Sequence, residues 1–272
     1  MKWKLSARAL YLAVVSLILL GILALIIRTS QISLRKPAFA SGWFLFTIMV
    51  FLAMYNSRKK LAMIPLGKAS TWLQLHVIGG FAALCVFWTH TGEFWPRGGY
   101  ERVLALLFYL VSLSGILGWM IQMYYPHLLT DSGVEVIYDQ IPAELANLRE
   151  QAEAIVLNCT TETGSPTLAR HYLERIDWFL RQPRFFFYNA IGSEKSRSWR
   201  RQQHNNVIRY LNSREQKFLD ELSQIIDYKL ELDLHYAAQT IMKCWLMVHV
   251  PLAAALMLVA VWHILVVHIY TA

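Results

Sequence analysis

Apolar residues along the chain gather into five long runs separated by short polar stretches and one long one. Tyr11–Ile27 is the first, preceded by Lys2, Lys4 and Arg8 and followed by Arg28. Trp43–Tyr55 is shorter and reaches a workable length when Ala38–Gly42 are added. Leu73–Trp88 and Val103–Tyr125 are the third and fourth runs, and the last extends from about Ile241 to Tyr270. A bilayer core about 30 Å thick is crossed by about 20 helical residues, so the pattern predicts five membrane spans. Between the fourth and fifth runs the periodicity changes. Leu145–Val156 and Leu168–Leu180 carry apolar residues at helical spacing, broken by Gly164, Pro166 and Pro183. From Val207 onward Ile208, Leu211, Phe218, Leu222, Ile226 and Leu230 form an apolar stripe on a charged helix. No breaker separates this stripe from the last run, so one helix is expected to pass from the insert into the membrane.

The expected fold class is therefore all-α, an integral membrane helical bundle of five spans with a mostly helical soluble insert. Its parts are spans one to four in 1–125, the insert in 126–237 and span five in 238–272. Ala38-Phe39-Ala40 has the look of a signal-peptide cleavage site, but Arg28, Arg35 and Lys36 intervene after the apolar run. A retained first helix is the expectation.

Composition agrees with a membrane protein. Of 272 residues 56% are hydrophobic and 16% charged, with a mean hydropathy of +0.36, against about 25% charged in ordinary soluble domains. The net charge of +8 divides unevenly. The stretch 124–237 holds 13 basic and 16 acidic residues, a net of −3, and the remainder sums to +11. Basic connecting loops explain the charge, and no nucleic-acid partner is needed. The short loops place Lys2, Lys4, Arg8, Arg58, Lys59, Lys60 and Lys68 on one side and Arg28, Arg35, Lys36, Arg97 and Arg102 on the other. The majority favours a cytoplasmic N-terminus and insert in a bacterial cytoplasmic membrane. Lys195, Arg197, Arg200 and Arg201 form a basic cluster that reads as solvated or phospholipid-facing.

Cys85, Cys159 and Cys244 are scattered, form no CxxC and offer neither a disulfide framework nor a zinc site. The chain has no CxxCH, so haem could not be attached covalently in the c-type manner. Hydrolase, P-loop and zincin signatures are missing from the sequence too.

Histidines carry the chemistry. Ionisable residues inside membrane spans are costly and point to function. His76 and His90 lie on the third span, His249 and His263 on the fifth, and both pairs are 14 positions apart. On an α-helix that is about 21 Å of rise and about 40° short of whole turns, so each helix shows two imidazoles on one face. Spans three and five are parallel, which puts His76 level with His249 and His90 level with His263. Two facing imidazoles at one depth can supply both axial ligands of a haem iron, and the equal spacings point to two b-type haems. Gly79 and Gly80 on span three and Gly115 and Gly118 on span four would let a flat macrocycle approach closely. His268, five residues past His263, breaks the scheme and reads as interfacial, while His127, His171, His204 and His235 read as ordinary polar residues of the insert.

This arrangement resembles the di-haem membrane cytochromes b. Placement on the third and fifth spans is similar to the ferric-reductase and NADPH-oxidase transmembrane domain, and the spacing is similar to cytochrome b of the quinol-oxidising complexes. The resemblance covers about 43–125 and 238–270 and rests on four histidines. It implies an electron-transfer subunit of a membrane oxidoreductase complex, exchanging electrons with quinone or quinol and with a c-type cytochrome or iron–sulfur subunit. The chain departs from the reductases in having no flavin- or nicotinamide-binding domain after the last span, and 124–237 contains no GxGxxG. A ferric reductase module fed by a separate flavoprotein is the alternative within this class. A histidine-based proton or metal-ion transporter is the alternative outside it.

Haem propionates attract cations, and Arg97, Arg102, Lys68 and Lys243 stand near the ends of the histidine-bearing spans. Each is equally well explained as a snorkelling residue. Glu93-Phe94-Trp95-Pro96-Arg97 is a compact loop that could hold a quinol head or act as an aromatic anchor at the membrane surface.

Overall fold

The computed structural model describes Gly21 and residues 37–57, 69–130, 133 and 136–271. The first apolar run, Tyr11–Ile27, lies outside the described residues apart from Gly21, as do the basic residues at 58–60 and Lys68. Among the described residues every regular element is helical. Three long helices come first: α1 (Pro37–Ser57), α2 (Ala69–Thr91) and α3 (Gly99–Thr130). The insert follows with α4 (Ile141–Thr163), α5 (Thr167–His171), a π turn over Tyr172–Ile176, α6 (Asp177–Leu180), α7 (Phe186–Ala190) and α8 (Lys195–Val207). Helix α9 (Ser213–Thr271) closes the chain with 59 residues. Four helices, α1, α2, α3 and α9, are long and apolar enough to cross a membrane.

Local chemistry sets the boundaries. Pro37 opens α1 at a position where its missing N–H is no loss. Gly92 follows α2 with φ +67° and donates its N–H to the Trp88 carbonyl. Gly164 ends α4 in the same way, with φ +68° and a bond to Thr160 O. The start of α9 differs from the expected one. The apolar stripe from Val207 is interrupted by a 3₁₀ turn at Ile208–Tyr210, and the helix restarts at Ser213 behind a reciprocal cap. Asn212 Oδ1 accepts from the backbone N–H of Glu215 at 2.9 Å, and Glu215 Oε2 accepts from the N–H of Asn212 at 2.7 Å.

The described residues pack as two units, one up to Trp119 together with Leu246 onward, the other Met120–Trp245. In the first, α1, α2, α3 and the C-terminal half of α9 meet around Leu45, Met49, Ala83, Val86, Phe87, Ala105, Phe108, Leu256 and Ala260. Phe87 and Phe108 stack with centroids 4.2 Å apart. Outward-facing positions such as Val103, Leu106, Leu110, Leu113 and Leu117 remain exposed, the apolar surface expected of helices that face lipid.

The second unit has a conventional interior of Ile141, Leu145, Leu148, Leu168, Ile176, Phe179, Leu222, Leu232 and their neighbours. Two charged features sit inside it. Lys229 and Asp233 are 0% and 1% exposed and joined at 2.6 Å. Lys229 Nζ also donates to Gln182 O and lies 3.7 Å from the centre of the Phe179 ring. Asp177, buried, accepts from Arg149 Nε and Arg181 Nε, both at 3.0 Å. The hydrogen bonds from Arg181, with Arg149 beside them, hold its carboxyl below the ordinary carboxylate range. A depressed acid stabilises the fold above its unfolded pKa and loses that contribution as pH falls through its folded value. Asp177→Asn is therefore expected to lower the unfolding temperature of the insert at neutral pH. The difference from the parent should shrink as pH falls below the ordinary carboxylate range and Asp177 takes up its proton, as read by circular dichroism; a pH-independent difference would mean that the carboxylate charge contributes nothing.

Candidate functional site

All four span histidines belong to the first unit, and the structure brings them together two by two. His76 on α2 faces His249 on α9 with ring centroids 6.5 Å apart and planes at 75°. His90 faces His263 at 6.4 Å and 87°. Every one of these rings is half-buried. The 14-residue spacing on each helix separates the two levels by about 21 Å.

Neighbouring helices fix the rings. Helix α1 presents the Ala38 carbonyl to His90 Nδ1 at 3.0 Å, and Ser41 Oγ lies 3.2 Å from the same nitrogen while donating to Ala38 O. The carbonyl can only accept, so Nδ1 carries the proton and Nε2 is left with its lone pair. On α3, Ser114 Oγ donates to Val111 O and lies 2.8 Å from His249 Nδ1. With its own proton on the helix carbonyl, that hydroxyl accepts from Nδ1–H, which puts the ring's lone pair on Nε2. His76 Nδ1 is buried beside the Leu52 carbonyl, short of ordinary hydrogen-bond geometry, and Tyr55 packs on its ring at 4.9 Å. Tyr100 stacks on His263 with centroids 6.0 Å apart and donates its hydroxyl to Val259 O, one turn earlier on α9.

Glycine lies against a histidine at both levels. A Cβ at Gly42 would stand 2.8 Å from His90 Cε1, so only glycine permits this ring position. Gly115 lies against His249, where a Cβ would be 3.7 Å from Cε1. Gly79 is packed against Leu52. Sequence reasoning singled out Gly79, Gly80, Gly115 and Gly118, and missed Ser41, Gly42, Ser114 and Tyr100. Their signal is faint: a small or hydroxylated residue in an apolar span means little until the facing helix is known.

The donor set fits a haem iron. Hydrogen-bonded imidazoles have centroids about 5.2 Å apart, whereas two imidazoles on opposite sides of one iron, with metal–nitrogen bonds of about 2.0 Å, have centroids about 6.3 Å apart. At 6.5 and 6.4 Å, edge to face, both pairs are too far apart for a direct hydrogen bond and near the second distance, which plain ring packing also spans. A porphyrin supplies four nitrogens of its own, so two histidines complete the iron. Among the described residues no three His, Cys, Asp or Glu side chains gather as a non-haem metal site would require. Engagement of Nδ1 by a carbonyl or hydroxyl is the outer hydrogen bond that metal-ligating histidines carry.

The other candidates are engaged elsewhere. Arg97 pairs with Glu93 at 3.5 Å, its side chain 90% exposed. Arg102 Nε donates to Pro96 O at 3.2 Å. Lys243 Nζ meets Asp139 at 3.2 Å and lies 3.6 Å from the Tyr138 ring centre. Lys68 is outside the described residues. His268 packs against Phe39 and Trp43, and its Nδ1 lies 2.8 Å from Ile264 O. The 93–97 loop is tied to α3 by stacking of Phe94 on Tyr109, whose hydroxyl donates to Phe94 O at 2.6 Å. Comparison with protein-family profiles, curated proteins and solved structures finds no match to this chain.

Proposed function

We propose that this chain is the di-haem cytochrome b subunit of a membrane oxidoreductase, moving electrons across the bilayer between quinone or quinol and partner redox proteins. The observation that carries the reading is the pair of facing histidines at each of two levels, 6.5 and 6.4 Å apart. His76 and His249 would hold one haem, His90 and His263 the other. Bound there, each group would supply a reversible one-electron carrier, the chemistry these four side chains cannot perform themselves.

The chain's own residues contribute position and electronics. Ala38 O with Ser41, and Ser114, hold the Nδ1 protons of His90 and His249, which fixes the tautomer and raises the donor strength of Nε2. Tyr100 fixes the plane of His263 and ties it to the α9 backbone. Gly42 keeps a Cβ from colliding with the His90 imidazole. With no nucleotide-binding motif in 124–237, a c-type cytochrome or iron–sulfur subunit is the natural electron partner.

Pyridine haemochrome analysis of the purified protein is expected to give two b-type haems per chain, extractable with acid acetone, and dithionite should produce a reduced b-type spectrum. A protein expressed with an adequate haem supply that carries none would overturn the reading in favour of a histidine-based proton or metal-ion pathway.

A further inference from the structure

The insert carries an exposed apolar tip that electron transfer does not explain. In Arg184–Ile191 the chain runs Arg-Phe-Phe-Phe-Tyr-Asn-Ala-Ile, and Phe187 and Ile191 are 80% and 72% exposed. The tip is built, not frayed. Phe185 adopts a left-handed backbone with φ +54°, a conformation that residues other than glycine rarely take and that is costly for them. That turn sends the Phe185 ring inward against Phe179 and Trp199, 6.2 and 5.9 Å away. Buried Asn189 clamps the loop from inside, donating to Arg184 O and accepting from Ser196 Oγ. Strain and a buried polar clamp are thus spent on holding two large apolar side chains in the open, where a soluble domain would gain nothing from them.

The tip's attachment says what covers it. Tyr125 Oη donates to Ala190 O at 2.9 Å, and a Cβ at Gly192 would sit 2.5 Å from Tyr124 Oη. Tyr124 and Tyr125 end the apolar run of α3, the position at which tyrosines mark the membrane–water boundary. Met120, Met123 and Tyr124, in the same unit as the tip, are exposed as well, so the tip lies beside further uncovered apolar surface. Charge agrees: between Arg181 and Arg201 six bases stand against one acid, Glu194. Arg197 and Arg200 are paired with Glu231 and Asp227, while Lys195 is exposed beside Tyr188, to whose hydroxyl it donates at 2.6 Å.

We propose that Phe187 and Ile191 are seated in the lipid interface, with Lys195 at headgroup level, anchoring the insert to an anionic bilayer surface. The full chain, with exposed Cys85 and Cys244 replaced by serine and buried Cys159 kept, provides the test. Phe187→Cys and, separately, Ile191→Cys are labelled with an environment-sensitive dye and reconstituted into phosphatidylcholine–phosphatidylglycerol vesicles containing shallow spin-labelled lipid. Leu157→Cys and Tyr210→Cys, at exposed insert positions remote in sequence from the tip, serve as references, and far-UV circular dichroism confirms folding of each. Emission at 187 and 191 should be blue-shifted and quenched at least about twofold by the labelled lipid, with 157 and 210 unquenched. Unquenched emission at both tip positions would overturn the proposal. A blue shift without lipid quenching would do the same, by showing the tip packed against protein of this chain or a second copy.

Discussion

Alanine at His76 or at His249 is expected to remove one and the same haem, and alanine at His90 or His263 the other. Each single substitution should halve the haem content per chain. The double replacement of His76 and His249 should remove no more than either alone, because one lost ligand already leaves the iron with an empty side. Replacing His76 together with His90 should remove both haems. The basis is the facing geometry, 6.5 Å within one level and 6.4 Å within the other, with about 21 Å between levels. Haemochrome titration with redox potentiometry distinguishes the two centres. Loss of a common centre in His76→Ala and His263→Ala would disprove the assignment of ligands to levels.

Lys229→Met should be the most damaging single change in the insert. It leaves Asp233, 1% exposed, without the ammonium that now sits 2.6 Å away, and breaking a buried ion pair from one side costs about 3–5 kcal/mol. Replacing both partners, as in Lys229→Met with Asp233→Leu, removes the stranded charge, and such exchanges are often neutral or stabilising. Cys159 is fully buried in the same interior and reports its opening. With Cys85 and Cys244 changed to serine, Lys229→Met should speed labelling of Cys159 by about two to three orders of magnitude, and the double variant should reverse most of that. Equal labelling rates in the single and double variants would show that the stranded carboxylate is not the cause.

What the sequence discloses here follows from period. Equal 14-residue spacings on two apolar runs place four imidazoles on facing stripes, because helical rise and rotation are fixed whatever the surroundings. Partners across helices depend on azimuth and depth, which one run does not encode, and so Ser41, Ser114 and Tyr100 were invisible as neighbours of histidine. The start of α9 is hidden from the apolar pattern for another reason. Apolar residues keep helical spacing through Val207 and Leu211, both buried in the insert's interior, although the backbone breaks between them. The Asn212–Glu215 cap was the available signal. Lys229 and Asp233 stand four apart, a spacing that exposed pairs share, and only the packing of Phe179 and Gln182 over them marks a buried one. Four of the five apolar runs coincide with described helices long and apolar enough to cross a membrane.

Between the two histidine levels the bundle is filled by Ala83, Val86, Phe87, Phe108, Leu256 and Ala260, none of which can ionise or donate a side-chain hydrogen bond. Electrons would tunnel through this apolar layer, on the proposed reading, between the π systems of the two levels. On the proposed reading, an electron passing between levels displaces charge over about two-thirds of a 30 Å hydrocarbon core. It therefore works with or against the membrane voltage, by about 1.5 kcal/mol per 100 mV. In energised vesicles the relative reduction of the two centres should follow the applied potential, so that the subunit acts as a voltmeter as well as a wire.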